Sequence, residues 1–425
     1  LAPSNTNLAL FVDGSAQKHE LDLTLLQQAA DGPQKAGWDK LAQLLHEAIQ
    51  HRCDQITIEP DDGSWRTRFF AHDRHIEQIQ HDMAELSFLS DNLSRDLRDS
   101  NNHHDRLRPL LAQVDQQRYI VEATQLPCMK GSMFTLSLKP WQPLPSSFNE
   151  LQLPSGIDRR IRHWLSGKGG WLAVAGPSTD LNADGQLALM HELVAPESRV
   201  LHVARTQRYS LPRVNQLALH DIEERHRNLV WQQAITTPFD SYVLDGVRDH
   251  WLQSLCNISD REATVMHTIN ADNTTRALRR LQALQLNQSR FAQGRTAILM
   301  QYPVRLQCEH CKSPDNNTQA HQRWLNDWLE PDDTVESWVN PRYKGFMRSE
   351  GCDKCHHTGV ANWTTIYEWL EFNDEIKSAI SDDSWHTATS LLQLQQTVVQ
   401  SVFKMARQGL ISLAEAKRLL GPISL

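Results

Sequence analysis

Apolar positions recur along this chain with two different periods. Between Trp38 and Ile49 the order Trp-Asp-Lys-Leu-Ala-Gln-Leu-Leu-His-Glu-Ala-Ile has helical spacing and predicts an amphipathic helix. Gln55-Ile-Thr-Ile-Glu-Pro60 alternates as a half-buried strand that stops at its proline. Trp65-Arg-Thr-Arg-Phe-Phe70 predicts a second strand, whose period of two sets Arg66 and Arg68 on one face. Tyr119–Ala123 and Met133–Leu138 predict a further strand pair. Lys139-Pro-Trp-Gln-Pro-Leu-Pro-Ser-Ser follows, with the proline density of a semi-rigid linker.

Beyond about residue 150 short apolar runs alternate with helical segments. Gly170–Gly176, Arg199–Ala204, Ser241–Val247 and Thr264–Thr268 read as buried strands, and Thr274–Leu284 as one of the helices between them. Such alternation predicts a largely parallel sheet covered by helices, an α/β fold. From about 366 the pattern is helical. Ser412-Leu-Ala-Glu415 is a capping box opening a last helix that ends at Leu420, before Gly421-Pro422. There is no internal repeat and no low-complexity tract.

At 425 residues the chain has room for about two to four domains. A net charge of −8 gives none of the basic footprint of a nucleic-acid binder. No apolar run approaches the roughly 18 residues of a transmembrane helix. The opening LAPSNTNLALFVDGSAQ has neither the positive n-region nor the apolar core of a signal peptide, and, lacking Met, is compatible with an excised fragment.

Four of the seven cysteines carry the strongest chemical signal. Cys308 and Cys311 form one CxxC, Cys352 and Cys355 a second. Two thiolates on each of two tight turns supply the four sulfurs of a closed, tetrahedral Zn²⁺ site. Cys352-Asp-Lys-Cys355-His356 also spells a c-type haem attachment pattern, which would need export and leave Cys308 and Cys311 unexplained. Zinc accounts for all four. His310, His356 and His357 flank a ligand set that is already complete. Cys53, Cys128 and Cys256 stand alone in apolar contexts, so the thiol usage is that of a reducing compartment and points to the cytoplasm. The tryptophans, Trp324, Trp328 and Trp338 among them, read as packing residues, and Glu330-Pro-Asp-Asp-Thr as a solvated turn.

With these signals in order, the chain from about 38 to 420 resembles the secretion ATPases of type II secretion and type IV pilus assembly. Asp54-Gln-Ile-Thr-Ile-Glu-Pro60 is similar to that family's SDIHIEP, Arg66-Thr-Arg68 to its RxR, and Gln125-Leu-Pro127 with Gly131 to the stretch before its interdomain linker. Leu211-Pro-Arg-Val-Asn-Gln216 resembles LPGINQ, Val247-Arg248-Asp249 the end of GEIRD, His267-Thr268 the HT of the histidine box, and Ile366-Tyr367-Glu368 its GIYE. The cysteine pairs fall where the family carries zinc. The resemblance implies a small N-terminal α/β domain over 1–138, a linker over 139–156 and a RecA-like domain over 157–306. A zinc subdomain over 307–360 and a helical C-terminal subdomain over 361–425 complete the expected organisation. It also implies a nucleotide cleft with Arg66, Arg68, Gly176 and His267 in vestigial roles. Arg66 and Arg68 read more readily as a solvated strand face, and His267 equally as a satisfied strand-end histidine.

The chemistry departs from that pattern. In place of GPTGSGKT stands Gly176-Pro-Ser-Thr-Asp-Leu-Asn-Ala-Asp184, so Asn182 replaces the phosphate-binding lysine, Ala183 the Mg²⁺ hydroxyl and Leu181 a glycine. Asp180 and Asp184 add negative charge where a triphosphate would sit, and Lys168 lies before the strand, too far back to substitute. Gly246 takes the position of the catalytic glutamate, with Asp245 one place earlier; Ala204-Arg205-Thr206 replaces an acidic segment, and Thr236 a basic residue. No catalytic residue is assigned, and binding of ATP and Mg²⁺ is placed in doubt. The expectation is a cytoplasmic pseudo-ATPase, peripheral to the inner membrane. It would sit with copies of itself or an active paralogue in a hexameric ring under an inner-membrane platform protein. Two alternatives stand beside it: an ATPase that uses unorthodox residues such as Asp245, and a stand-alone zinc-stabilised interaction module.

Overall fold

The computed structural model describes residues 21–421 except 52, 72–73, 97–109, 115–116, 141–146, 205–210, 220–221, 223, 258–262, 287–293, 316–323, 325–345 and 356. Two compact units result, Leu1–Leu144 in the first and Pro145–Gln207 with Leu211–Leu425 in the second.

The first unit runs β1 (Leu21–Asp22), α1 (Leu23–Ala29), α2 (Gly32–Gln50), β2 (Gln55–Asp61), β3 (Ser64–Ala71), β4 (Arg74–Asp82), α3 (Met83–Asp96), β5 (Leu110–Val114), β6 (Gln117–Cys128) and β7 (Gly131–Pro140). Its sheet has the order β1-β5-β6-β7-β2-β3-β4, antiparallel except at β1–β5. In α2 the helical spacing of Trp38, Leu41, Leu44, Leu45 and Ala48 becomes a buried stripe, joined in one core by Leu86, Leu89 and Leu93 of α3 and Ile56, Phe69 and Phe134 of the sheet. β2 does not stop at Pro60: it continues to Asp61, because β7 pairs only with Gln55–Ile58 and leaves Pro60 a free edge where no N–H is required. β7 likewise takes in Lys139 and Pro140, which composition had assigned to the linker. Lys139 pairs with Ile120 and its ammonium lies 2.8 Å from Glu122. Most of the remaining Pro-rich stretch lies outside the described residues.

The second unit begins with a 3₁₀ turn at Phe148–Leu151 and α4 (Ser155–Leu165). It continues through β8 (Gly170–Gly176), α5 (Thr179–Met190), β9 (Val200–Ala204), β10 (Val214–Ala218), α6 (Glu224–Thr236), β11 (Ser241–Asp245), α7 (Asp249–Asn257), β12 (Thr264–Asn270), α8 (Thr274–Ala283) and β13 (Thr296–Gln307). Next come the short β14 (Lys312–Pro314) and β15 (Met347–Ser349), then β16 (Val360–Glu371). The helices α9 (Asp374–Ser381), α10 (Trp385–Gln393), α11 (Val398–Arg407) and α12 (Leu413–Leu420) close the chain. The sheet order is β10-β9-β11-β12-β8-β13-β16, parallel throughout except for the antiparallel β13–β16 edge. The four runs read as strands in sequence are β8, β9, β11 and β12, and the last of them extends to Asn270.

The helical end begins later than the sequence pattern placed it. Residues 360–371 are the edge strand of the main sheet, in keeping with the β-branched and aromatic content of Val-Ala-Asn-Trp-Thr-Thr-Ile-Tyr-Glu-Trp-Leu-Glu. Helices start at Asp374. Glu368 ties them to the sheet. Its buried carboxylate accepts from the backbone N–H groups of Thr397 and Val398 at 2.6 Å, at the start of α11, and from the Tyr302 hydroxyl at 2.9 Å. Burial pushes its carboxyl above the ordinary value, and these bonds pull the other way. Trp324 packs against Phe403 and donates to the Gly421 carbonyl at 2.9 Å, the packing role read for it; Trp328, Trp338 and the Glu330 turn lie outside the described residues. Among the described residues no helix is long and apolar enough to cross a membrane.

At Gly37 α2 lies close against α3. A Cβ there would lie 2.7 Å from the Phe88 carbonyl oxygen and 2.5 Å from Asn92 Nδ2, and that amide donates to the Gln34 carbonyl at 2.6 Å. Gly→Ala in an open helix stabilises by about 1 kcal/mol. Gly37→Ala should instead destabilise by about 1–3 kcal/mol, since backbone must move. Urea unfolding of the full chain measures this, and an unchanged or raised midpoint would count against the close packing.

Candidate functional site

The four cysteines converge. Cys308 closes β13, Cys311 precedes β14, and Cys352 and Cys355 lie between β15 and β16, so the β13–β16 ladder and the β14–β15 pair bring both CxxC turns together. The sulfurs all lie within 4.8 Å of one another, with Cys308–Cys352 at 4.0 Å and Cys311–Cys355 and Cys352–Cys355 at 3.8 Å. A tetrahedral ion with bonds of about 2.3 Å needs sulfurs about 3.8 Å apart. The set fits a metal such as zinc. Each CxxC is folded by its own backbone, Lys312 N–H donating to the Cys308 carbonyl at 3.1 Å and His357 N–H to that of Cys352 at 2.9 Å. Gly351 and Gly359 have φ of 105° and 73°, and a Cβ on Gly351 would strike the His357 carbonyl oxygen at 2.4 Å.

The thiols differ in environment. Burial pushes Cys311 up to about 12. Burial also acts on Cys355, but the N–H groups of Cys352 and Gly359, 3.2 and 3.3 Å from its sulfur, outweigh it and bring that thiol down to about 7. His357 is exposed and turned to Asp353, 3.2 Å away; the described part of the cluster is all cysteine, and His356 is not among the described residues. Of the isolated cysteines Cys53 and Cys256 are buried, whereas Cys128 is exposed at the β6–β7 hairpin.

At the carboxyl end of β8 the chain passes almost directly into a helix. After Gly176 only Pro177 and Ser178 intervene before α5 starts at Thr179, with Ser178 Oγ capping the Leu181 N–H. Asn182, in the position of the lysine, is therefore inside the first turns of the helix and fully buried. Its Nδ2 lies 3.0 Å from the Gly176 carbonyl, 2.9 Å from that of Ile269 and 3.2 Å from Asn270 Oδ1, and its Oδ1 accepts from Gln301 Nε2 at 3.4 Å. Gln301, also fully buried, donates to the Leu181 carbonyl at 3.2 Å, and Gln186 to that of Leu244 at 3.1 Å. These amides join α5 to the ends of β8, β11 and β12 and to the middle of β13. A Cβ on Gly176 would lie 2.5 Å from Asn182 Oδ1, so the amide fills the space over the strand end. Asp184 is exposed on α5.

Of the residues expected around a nucleotide, Gly176 lies at this junction. His267 does not: it is 1% exposed and packed edge-on against Trp171, 5.4 Å between ring centroids, inside the hydrophobic core. Strand alternation turns it to the opposite face from Thr268, whose hydroxyl donates to Asp245 at 2.9 Å. Gly246 follows Asp245 with φ of 61°, and Thr236 caps the end of α6 through the Gln233 carbonyl. Arg66 and Arg68 belong to the first unit, where Arg66 pairs with Asp61 and Arg68 with Glu59 at 3.0 Å. Ala204 is buried at the end of β9; Arg205 and Thr206 lie outside the described residues. The sequence reading missed Gln301 and Gln186. Gln301 left a signal, a single amide in the run Thr-Ala-Ile-Leu-Met-Gln-Tyr.

A mostly parallel sheet, opened by a strand–turn–helix and covered by helices, defines a RecA-like domain of the P-loop NTPase class. The chain belongs to the family described as Type II/IV secretion system protein, whose profile matches residues 36–418. It is 22% identical over 242 residues to the Type II secretion system protein E of Aeromonas hydrophila, covering 57% of this chain and 45% of that protein. It thus spans less than half of that relative's length. The Protein transport protein HofB homolog of Escherichia coli (strain K12) is 20% identical over 424 residues, 96% of this chain and 86% of that one. In fold the chain is similar to the ATPase DotB of Legionella pneumophila, with a TM-score of 0.57, 14% identity, and coverage of 89% and 95%.

His267 gives a pH signature. Burial lowers its pKa from 6.5 to about 3, so between those values the unfolded chain takes up a proton that the folded chain refuses. Stability is then lost as pH falls through 6.5, for this group by roughly twenty-five-fold in the folding constant between pH 7 and 5. Urea midpoints at the two pH values should draw apart less in His267→Phe than in wild type; equal separations would refute the buried, neutral imidazole.

Proposed function

We propose that this chain is a catalytically inactive member of the secretion and pilus ATPase family. It acts as a zinc-stabilised structural or regulatory subunit of such a machine. The observation that carries the reading is Asn182. Phosphoryl transfer rests on positioning and neutralising charge, which needs a free loop of N–H groups, a lysine and a metal hydroxyl. Here the loop is drawn into α5, and the side chain in the lysine position is spent on strand-end carbonyls. Gly246 offers no carboxylate, and Asp245 is engaged with Thr268. Relatives named for type II secretion and protein transport support the class of machine. Within it the chain joins or caps a hexameric ring, of its own copies or of an active paralogue, on the cytoplasmic face of an inner-membrane platform protein. Cys308, Cys311, Cys352 and Cys355 hold the zinc, which closes the subdomain and takes no part in a reaction.

Metal content tests the first element. The purified protein should carry about one Zn²⁺ per chain, because four thiolates in a closed shell give structural affinity. Cys352→Ser should lower the melting temperature far more than Cys256→Ser does; absence of zinc, or a haem absorption band, would overturn the assignment.

ATP turnover tests the second. Wild type should hydrolyse Mg·ATP no faster than a matched Asp245→Asn preparation. Asn182→Lys alone should stay at background, since the missing groups act as a unit. Zinc-loaded wild type that turns over ATP, with the activity abolished by Asp245→Asn, would establish the competing reading of an unorthodox enzyme.

A further inference from the structure

The amino-terminal edge of the second unit's sheet carries a cavity of about 360 Å³. Met190, His191 and Val194 line it from the end of α5 onward, and Leu211, Arg213 and Val214 from the entry to β10. Val214 pairs with Val200, so the cavity lies where these parallel strands begin. The twelve residues of α5, about 18 Å of helix, separate it from the turn after β8. Its walls are held by hydrogen bonds of their own. The Leu211 N–H donates to Gln216 Oε1 at 2.7 Å, and Asn215 Nδ2 to the Val200 carbonyl at 3.3 Å, which fixes the turn into β10. Opposite, the Val194 N–H closes the 3₁₀ turn His191–Leu193 on the His191 carbonyl at 3.4 Å, and Glu192 is tied to Arg162 of α4.

Arg213 is the informative residue. Its φ is 63°, in the left-handed region that glycine takes freely and L side chains rarely adopt. The LPGINQ pattern that this stretch resembles has glycine at that position. A residue kept in strained backbone where glycine would relieve it points to a use for its side chain. That guanidinium is exposed and makes no hydrogen bond or ion pair among the described residues, and the same holds for the His191 imidazole. No acidic residue stands among the described lining residues, and neighbouring Glu192 is engaged by Arg162. Beneath these two groups the lining is apolar: Met190 and Leu211 are buried, and Val194 and Val214 half-buried. A preformed cavity at the small end of the ligand-pocket range thus joins an apolar floor to one unpaired, forked donor. One guanidinium matches the two oxygens of one carboxylate, and the floor offers nothing to a polyanion.

We propose that this cavity binds a small carboxylic acid with an aliphatic body. The body lies against Met190, Val194, Leu211 and Val214, and the carboxylate pairs with Arg213. His191 offers a second donor at the mouth. The bound acid bridges the end of α5 to the start of β10, away from the amide junction at Asn182. The site stands on the cavity and on Arg213, and the reading of inactivity does not depend on it.

The probe is octanoate, titrated by calorimetry into the full chain at neutral pH and physiological ionic strength. Binding should saturate at one site per chain. Octanol, which keeps the body and lacks the charge, and butyrate, which keeps the charge and shortens the body, should each bind about tenfold more weakly or worse. Arg213→Gly should weaken octanoate by about tenfold or more without lowering the melting temperature, because glycine relieves the backbone at 213. Arg213→Gln keeps a side chain on the same backbone and should weaken it as much, whereas Arg213→Lys should restore part of the affinity. Absence of saturable binding to wild type would overturn the proposal. So would wild-type affinity in folded Arg213→Gly or Arg213→Gln, or octanol binding as tightly as octanoate. The ATPase assay is read separately, so its result bears on inactivity and leaves this site to the titration.

Discussion

The antiparallel pairing of β13 with β16 is the constraint on which the second unit depends. Its register runs from Ala297 opposite Glu371 to Gln307 opposite Val360, so residues far apart in sequence are fixed within one ladder. At one end it delivers Cys308 and the segment holding Cys352 and Cys355 to a common point, with the Cys308 N–H bonded to the Gly359 carbonyl at 3.0 Å. Midway it sets Tyr302 against Glu368, and through that carboxylate it anchors the start of α11. From the same strand Gln301 reaches the junction at Asn182. Cysteine cluster, helical end and altered loop are thus branches of one ladder, and a one-residue slip would turn Gln301 and Tyr302 to the wrong faces.

Much of this was legible because the responsible physics is local. The stripe of α2, the runs of β8, β9, β11 and β12, the Ser412 cap and the CxxC spacing each show their cause within a dozen residues. The fate of 360–371 was not legible in that way. An edge strand that closes a sheet from beyond the cysteine segment depends on a partner more than 50 positions away, and its aromatic and β-branched content had to be weighed against the helices that follow it. His267 shows the converse limit. Its place beside Thr268 in a recognised motif suggested a cleft residue, but alternation in β12 sends one side chain toward Asp245 and the next into the core beside Trp171. Two residues adjacent in sequence cannot share a strand face.

The altered loop was half legible. The residues at Leu181, Asn182 and Ala183 depart from the family's phosphate-loop pattern; they did not say what the local structure would be instead. That answer lay in Gln301 and Gln186, polar residues inside otherwise apolar elements, and became visible once β13 and β11 were beside α5. A buried amide in the middle of a strand is costly unless its hydrogen bonds are made, so such a residue is a pointer to a partner elsewhere in the sheet.

Asparagine at 182 also explains how the polar groups at this strand end are satisfied. Three acceptors meet at this point, the carbonyls of Gly176 and Ile269 and the Asn270 amide oxygen, and one donor, Gln301 Nε2, is directed at it from β13. A lysine ammonium answers the acceptors but cannot accept from Gln301, which would keep only its bond to the Leu181 carbonyl. It would also bring a charge into a buried site, and burying a charge without a partner costs several kcal/mol. An amide both donates and accepts, is neutral, and is short enough to sit within the helix that replaces the loop. The residue that departs from the family's lysine is thus the one that satisfies the polar groups where β8, β12 and α5 meet.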